Sequence, residues 1–347
     1  MSVDTSPRTA DTAPTAPARR GGRGLGWDGA IIAVTLAFLV AASLGVEHFG
    51  TVRNLGFLVL DLAPILVLAL PMTLIIVTGD IDLSVASMVG LTSSAIGVMW
   101  NAGLPLETIL VLAVVLGAVL GAVNGALVAG LGLPALAVTI GTLALYRGLS
   151  YVLLGDSAVA SFPRSFTGWT IGSVGWMPNI LPALVVLAAV FAVVLHATPA
   201  GRAIYAIGAN ATAAAYAGIR VRRTRFLLFV TSGAVAGLVG AFWTMRYASA
   251  RGDNAFGLEL TVVAAVLLGG VSIFGGKGSL PGVLAGVVLL MSLQNALRLE
   301  RISTEALTVV TGSLLIISVL LPNLLARGRR ALRRRRPPAP SAAPAAR

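Results

Sequence analysis

Two carboxylates two positions apart, Asp80 and Asp82, interrupt an otherwise apolar stretch in Thr78-Gly-Asp-Ile-Asp-Leu-Ser-Val85. Carboxylates placed this way have two uses. Asp82 can accept a hydrogen bond from an orphan amide and cap the helix that follows. Alternatively, both can sit at a break between helices and pair with adjacent hydroxyls of a polyhydroxylated solute. The sequence leaves both readings open. Further polar groups are scattered inside long apolar runs: Asp61, Asn124, Thr139, Thr142, Arg147, Gln294 and Asn295. Such groups are functional candidates by default, with interhelical hydrogen bonding as the plain alternative. Neutral amides and hydroxyls outnumber carboxylates among them, which suits a neutral hydroxylated solute better than a proton relay.

Other chemistries find no residues to carry them. There is no cysteine, so disulfides, iron–sulfur clusters and thiol nucleophiles are excluded. The two histidines, His48 and His196, have no companion at metal-ligand spacing. No cofactor site and no catalytic set is expected. The single lysine, Lys277, lies in Gly269-Gly-Val-Ser-Ile-Phe-Gly-Gly-Lys-Gly-Ser279. A phosphate-binding loop needs a first glycine where Val271 stands and a hydroxyl residue where Gly278 stands. The run also joins two apolar segments and reads as a tight cytoplasmic turn. Energy for any transport must come from a partner or an ion gradient.

The elements that position these residues follow from composition. Of 347 residues, 57% are hydrophobic and 11% are charged, against about a quarter charged in soluble domains. Lipid replaces the missing polar surface, and a span needs about 20 apolar residues. Ten such runs are expected, near 28–46, 55–78, 83–100, 108–130, 134–154, 179–196, 226–247, 259–274, 279–298 and 306–325. The fold class is therefore all-α and polytopic. Glycines recur at four-residue spacing (Gly117, Gly121 and Gly125; Gly233 and Gly237; Gly282 and Gly286), which aligns them on one helix face for close packing. Pro64 and Pro71 lie inside a span and predict a kink or break there. Residues 1–26 and 327–347 read as basic, disordered tails flanking a membrane domain at 27–326.

Charge sets the orientation. With ten spans, one side carries 18 of the 25 Lys and Arg, both tails included, and the other carries 7. The basic side is expected to be cytoplasmic, so both termini are cytoplasmic, and the net charge of +12 serves topology and lipid contact rather than nucleic acid. The longest outer connection, Gly155 to Asn179, holds Trp169 and Trp176 as interfacial anchors. The longest cytoplasmic one, His196 to Arg225, has an Ala-rich, helix-favouring centre from Ala211 to Ala217, bracketed by Gly208 and Gly218. The bland reading of that loop is a basic topogenic connector.

The Asp80–Asp82 segment resembles the Gly-Gly-Ile-Asp-Leu-Ser-Val-Gly signature of monosaccharide permeases of ribose-type ATP-binding-cassette importers. Asp80 replaces the second glycine and Ala86 the last. Three more stretches are similar to the same family: Leu133-Pro-Ala-Leu-Ala-Val-Thr-Ile-Gly-Thr142, Ala206-Ile-Gly-Ala-Asn-Ala-Thr-Ala-Ala-Ala-Tyr-Ala-Gly-Ile219 and Leu268-Gly-Gly-Val-Ser-Ile-Phe-Gly-Gly-Lys-Gly-Ser279. The resemblance implies about ten helices in two inverted repeats, roughly spans two to five and seven to ten, in a bacterial cytoplasmic membrane. It implies a second permease copy or paralogue, a cytoplasmic ATPase subunit and an extracytoplasmic sugar-binding protein. The segment around Gly208, Asn210, Ala211, Ala214, Ala217 and Gly218 would be the helix that couples to the ATPase. Its centre is often acidic in relatives, whereas Ala211 and Thr212 follow Asn210 here. Asp80 and the run Gly148-Leu-Ser-Tyr-Val-Leu-Leu-Gly-Asp156 look most like rhamnose-type permeases, with autoinducer-2 permeases also similar. A branched-chain amino acid permease and an ion-coupled secondary transporter are the alternatives.

Overall fold

The computed structural model describes residues 26–334 except 161 and 176, and it does not describe the side chains of 166, 319 and 321–334. Residues 1–25 and 335–347 of the expected tails, and Trp176, lie outside the described residues. Each expected apolar run coincides with a helix: α1 (Trp27–Gly45), α2 (Val52–Val77), α3 (Val85–Asn101), α4 (Leu106–Gly125), α5 (Ala135–Leu154), α7 (Leu181–Ala197), α10 (Val221–Tyr247), α11 (Leu258–Leu268), α12 (Leu280–Leu299) and α13 (Thr304–Arg334). The connections add three short helices, α6 (Arg164–Ile171), α8 (Pro199–Ala209) and α9 (Ala211–Tyr216), and a hairpin of β1 (Ser173–Val174) with β2 (Met177–Pro178). Since α7 separates them in the chain, α6 and α9 mark opposite ends of the bundle.

Not every helix is a full span. Among the described residues, six are long and apolar enough to cross a membrane: α1, α2, α4 with the π-helical turn Ala126–Gly130 that extends it, α5, α10 and α12. A seventh arises if α7 and α8, bent by 66°, count as one. Two of the other expected spans, α3 and α11, are shorter for backbone reasons. The chain leaves α2 through Gly79 at φ +86° and starts α3 only at Val85, while α11 stops at Leu268 before Gly270 turns at φ +92°. At 1.5 Å per residue, the 17 residues of α3 reach about 26 Å and the 11 of α11 about 17 Å. A hydrocarbon core is about 30 Å thick.

The helix α2 is the mast of the fold. It is buried on every side from Leu62 to Val77, as expected of a helix that is apolar all round. Pro64 and Pro71 do not break it; it stays one helix from Val52 to Val77. Around it α3, α10, α11 and α12 contribute to one continuous core. The helix α1 is peripheral, resting on α12 with Thr35 Oγ1 donating to Ala285 O at 3.2 Å. The closest helix pair is α4 with α10. A methyl built on Gly117 or Gly121 would strike the α10 backbone, and one on Gly233 or Gly237 would strike α4. The four-residue glycine spacing is a seam where two backbones touch, as the sequence pattern requires.

Candidate functional site

The segment 78–84 between α2 and α3 forms an elbow, and it gathers several of the sequence candidates. Asp82 is fully buried. Its Oδ1 accepts from the Ser84 amide at 3.0 Å and from Ser84 Oγ at 2.6 Å, which is a local turn of the kind short acidic side chains favour. Its Oδ2 accepts from Ser232 Oγ of α10 at 3.1 Å. Ser84 Oγ in turn accepts from Asn124 Nδ2 of α4 at 2.7 Å. Tyr146 of α5 donates to Leu120 O at 3.0 Å and lies 3.4 Å from Asn124 Oδ1. Thr139 of α5 donates to Ile81 O at 3.2 Å. Asp82, Asn124 and Thr139 thus meet in one network joining the elbow to α4, α5 and α10. Thr142 does not join it, bonding within its own helix to Val138 O at 3.1 Å. Asp82 therefore accepts from the residue just before α3 rather than from its first turn.

Asp80 points elsewhere. Its carboxylate lies 2.9 Å from Arg225 Nε near the start of α10, and Arg225 Nη2 also donates to Thr78 O at 3.4 Å. The elbow thus climbs along α10 from Arg225 to Ser232, about 10 Å at the helical rise. This explains why α3 needs fewer residues than a full span.

A second polar set sits toward the α6 end. Asp61 of α2 pairs with Arg246 of α10 and with Arg298 of α12, the latter at 3.2 Å, and Arg246 also donates to Leu60 O. Asn295 and Asn54 exchange amide hydrogen bonds of 2.9 and 3.2 Å. Gln294 donates to Thr311 Oγ1 of α13 at 2.9 Å. Asp61, Gln294 and Asn295 are therefore apart from the elbow. Sequence reasoning missed Arg246, Arg298 and Asn54 as partners. The signal was Asp61 itself, since a carboxylate inside a span calls for a cation. Arg147 donates to Gly252 O and Asn254 O, both at 2.8 Å, and pins the loop 248–257.

At the α9 end, Asn210 caps α9 by accepting from the Ala213 amide at 2.9 Å. Ala214 is buried beneath the helix, whereas Ala211 and Ala217 are not. Gly218 ends the helix at φ +85°, which glycine takes without strain. Gly208 has a different role. It lies inside α8, where a methyl would run into Val77 O and the Gly276 amide, so it permits close approach rather than a turn. The Lys277 run is a tight turn, with the Ser272 amide donating to Lys277 O at 3.0 Å.

The family described as the branched-chain amino acid transport system permease component matches residues 54–319. The chain belongs to this permease family. The permease is 31% identical over 304 residues to the autoinducer 2 import system permease protein LsrD of Yersinia enterocolitica, a match covering 86% of this chain and 92% of that protein. It is 36% identical over 297 residues to the probable ABC transporter permease protein YphD of Escherichia coli strain K12, covering 86% and 89%. The LsrD protein of Photorhabdus temperata is 31% identical over 305 residues, covering 86% and 92%. None of these names mentions rhamnose. No solved structure matches the permease. Its relatives are transport proteins, and its apolar helices make it a multi-pass membrane protein.

Proposed function

We propose that the permease is the membrane subunit of an ATP-driven importer that carries a small sugar across the bacterial cytoplasmic membrane, with the α9 end cytoplasmic. It works beside a second copy or a paralogue, a separate ATPase subunit and an extracytoplasmic binding protein. Ten membrane segments in two inverted repeats, α2–α5 and α10–α13, with α3 and α11 as its short members, are part of this reading. The observation that carries it is the mounting of α9. This short, exposed helix follows directly on Gly208, which is packed on Val77, and precedes Arg225, which is paired with Asp80. Both flanks of α9 therefore grip the elbow that holds Asp82. A push on α9 reaches the buried network through two rigid contacts, neither of them a flexible loop.

Every candidate pathway group, Asp61, Asp80 and Asp82 included, has a protein hydrogen-bond or ionic partner. The partners are hydroxyls, amides and carbonyls, with arginine at Asp61 and Asp80, and a sugar offers the hydroxyl part of that set. Exchange of one set for the other is the proposed route through the bundle. Rhamnose and the autoinducer-2 furanose are the two solutes to measure first. The assay is uptake of labelled sugar by vesicles containing the whole complex. Uptake should stop when the ATPase is inactivated and continue when the ion gradient is collapsed. The opposite pattern would make the permease an ion-driven carrier, and uptake of leucine in place of either sugar would make it an amino acid importer.

A further inference from the structure

We infer that the surface receiving the ATPase subunit has two parts, α9 and the loop 272–277, with Phe274 inserting into the ATPase beside Tyr216. This rests on the ATP-driven reading above and adds a contact that the coupling helix alone does not provide. The loop is fixed to the coupling segment by backbone. The Gly276 amide donates to Val77 O at 2.9 Å, and Tyr205 of α8 donates its hydroxyl to Gly278 O at 2.6 Å. A methyl on Gly275 would lie 3.0 Å from Gly208 O, and one on Gly276 would lie 3.2 Å from Ala209 Cα. No side-chain layer separates loop from helix, so α8, the start of α9 and the loop form one block.

On that block Phe274 is exceptional. Its neighbour Ile273 packs on the main core, while Phe274 is 77% exposed and Tyr216, at the end of α9, is 90% exposed. The loop holds Phe274 out at low cost in freedom. The Gly275 amide donates to Ser272 O at 2.9 Å, the Phe274 amide donates to Ser272 Oγ at 3.3 Å, and Gly275 and Gly276 both take positive φ. An exposed aromatic on a preorganised support is the kind of group that anchors protein interfaces. The exposed charged side chains of the loop and of the segment after α9 are cationic, while Asp28, near Gly282 and Tyr205, is half-buried. Arg220, Arg222, Arg223 and Lys277 are exposed, whereas Asp80 is already paired with Arg225. The surface therefore fits a partner that offers an apolar groove with an acidic rim, and we assign that partner as the ATPase subunit.

The cysteine-free chain gives a clean test. Single variants Phe274→Cys and Tyr216→Cys, each carrying a photoactivatable maleimide, would be illuminated in the assembled complex in membranes. Both probes should attach to the ATPase subunit. In parallel, Phe274→Ala should lower sugar-stimulated ATPase activity and ATPase retention about tenfold, an effect in the usual range for an interface anchor. The level of permease in the membrane should be unchanged, and Phe274→Tyr should restore activity. If the probe at 274 labels only lipid while that at 216 labels the ATPase, the loop is a headgroup anchor and the inference fails while the importer reading stands. If neither probe reaches the ATPase, both fall together.

Discussion

Replacing Gly233 by alanine adds one methyl at the centre of the α4–α10 seam. That carbon would sit 2.8 Å from Gly121 Cα and 2.7 Å from its amide nitrogen, and would press on the Gly117 carbonyl. Carbon contacts settle at about 3.5–4.0 Å, so the helices must part by about 1 Å along the seam. Overpacking typically costs about 1–3 kcal/mol. Here both obstacles are backbone and neither can rotate away, which places the cost at the upper end. The better helix propensity of alanine returns up to about 1 kcal/mol, leaving about 2 kcal/mol of net destabilisation. At about 1.4 kcal/mol per tenfold, the folding equilibrium falls by roughly 25-fold. The measurement is thermal unfolding of the purified permease in detergent, with Gly141→Ala as the control, because a methyl there meets nothing within 4 Å. Gly141→Ala should melt at or above the parent temperature and Gly233→Ala clearly below it. Equal melting of the two variants would refute the seam.

Asp82→Ala strips the acceptor from Ser84 and Ser232 and should cost about 1–3 kcal/mol, as for buried donors left unsatisfied; chemical unfolding of the variant checks this. At the other polar set, Asp61→Asn leaves Arg246, whose side chain is 9% exposed, without its counter-charge, and should destabilise by about 3–5 kcal/mol. Arg298→Ala, at a half-exposed side chain, should cost less than about 1 kcal/mol; similar losses for the two would show that Asp61 does not hold Arg246. Arg225→Gln should reduce the sugar carried per ATP hydrolysed more than it reduces protein level, and the exchange Asp80→Arg with Arg225→Asp should recover part of the ratio. An unchanged ratio in Arg225→Gln would mean the pair is only a brace.

The positions of the helices were legible in the sequence because apolar runs mark them directly. Their lengths were less legible. The break at 79–82 was visible in its glycine and carboxylates, whereas residues 269–274 are as apolar or small as a helix interior, so hydropathy runs straight across the end of α11, which the turn at Gly270 marks. The start of α8 had a visible signal in Thr198 followed by Pro199, a cap and a first-turn proline, and its division from α9 had one in the cap Asn210. At the candidate site, Asp82, Asn124 and Thr139 were identifiable as buried polar groups, but not as one network. Their contacts join residues up to 150 positions apart, as with Asp82 and Ser232. Arg246 and Arg298 were counted with the outer side, at the ends of the runs 226–247 and 279–298. The structure carries α10 to Tyr247 and α12 to Leu299, which keeps both arginines on helices and within reach of Asp61. No periodicity announces that geometry.

The closure of the elbow bears on leakage. A break in a helix at membrane depth exposes amides and carbonyls, and a file of water along them would conduct protons and drain the gradient the cell maintains. Here several of those groups are taken up from within the protein. Ile81 O is bonded by Thr139, Ala86 O by Arg147, and Asp82 by two serines. Among the described residues only two buried side-chain atoms lack a hydrogen-bond partner, Ser292 Oγ and Arg225 Nε, and the second faces Asp80 across an ion pair. The elbow is a break whose buried side chains are satisfied from within the protein, which leaves water few groups to follow and lets a broken helix coexist with a held voltage.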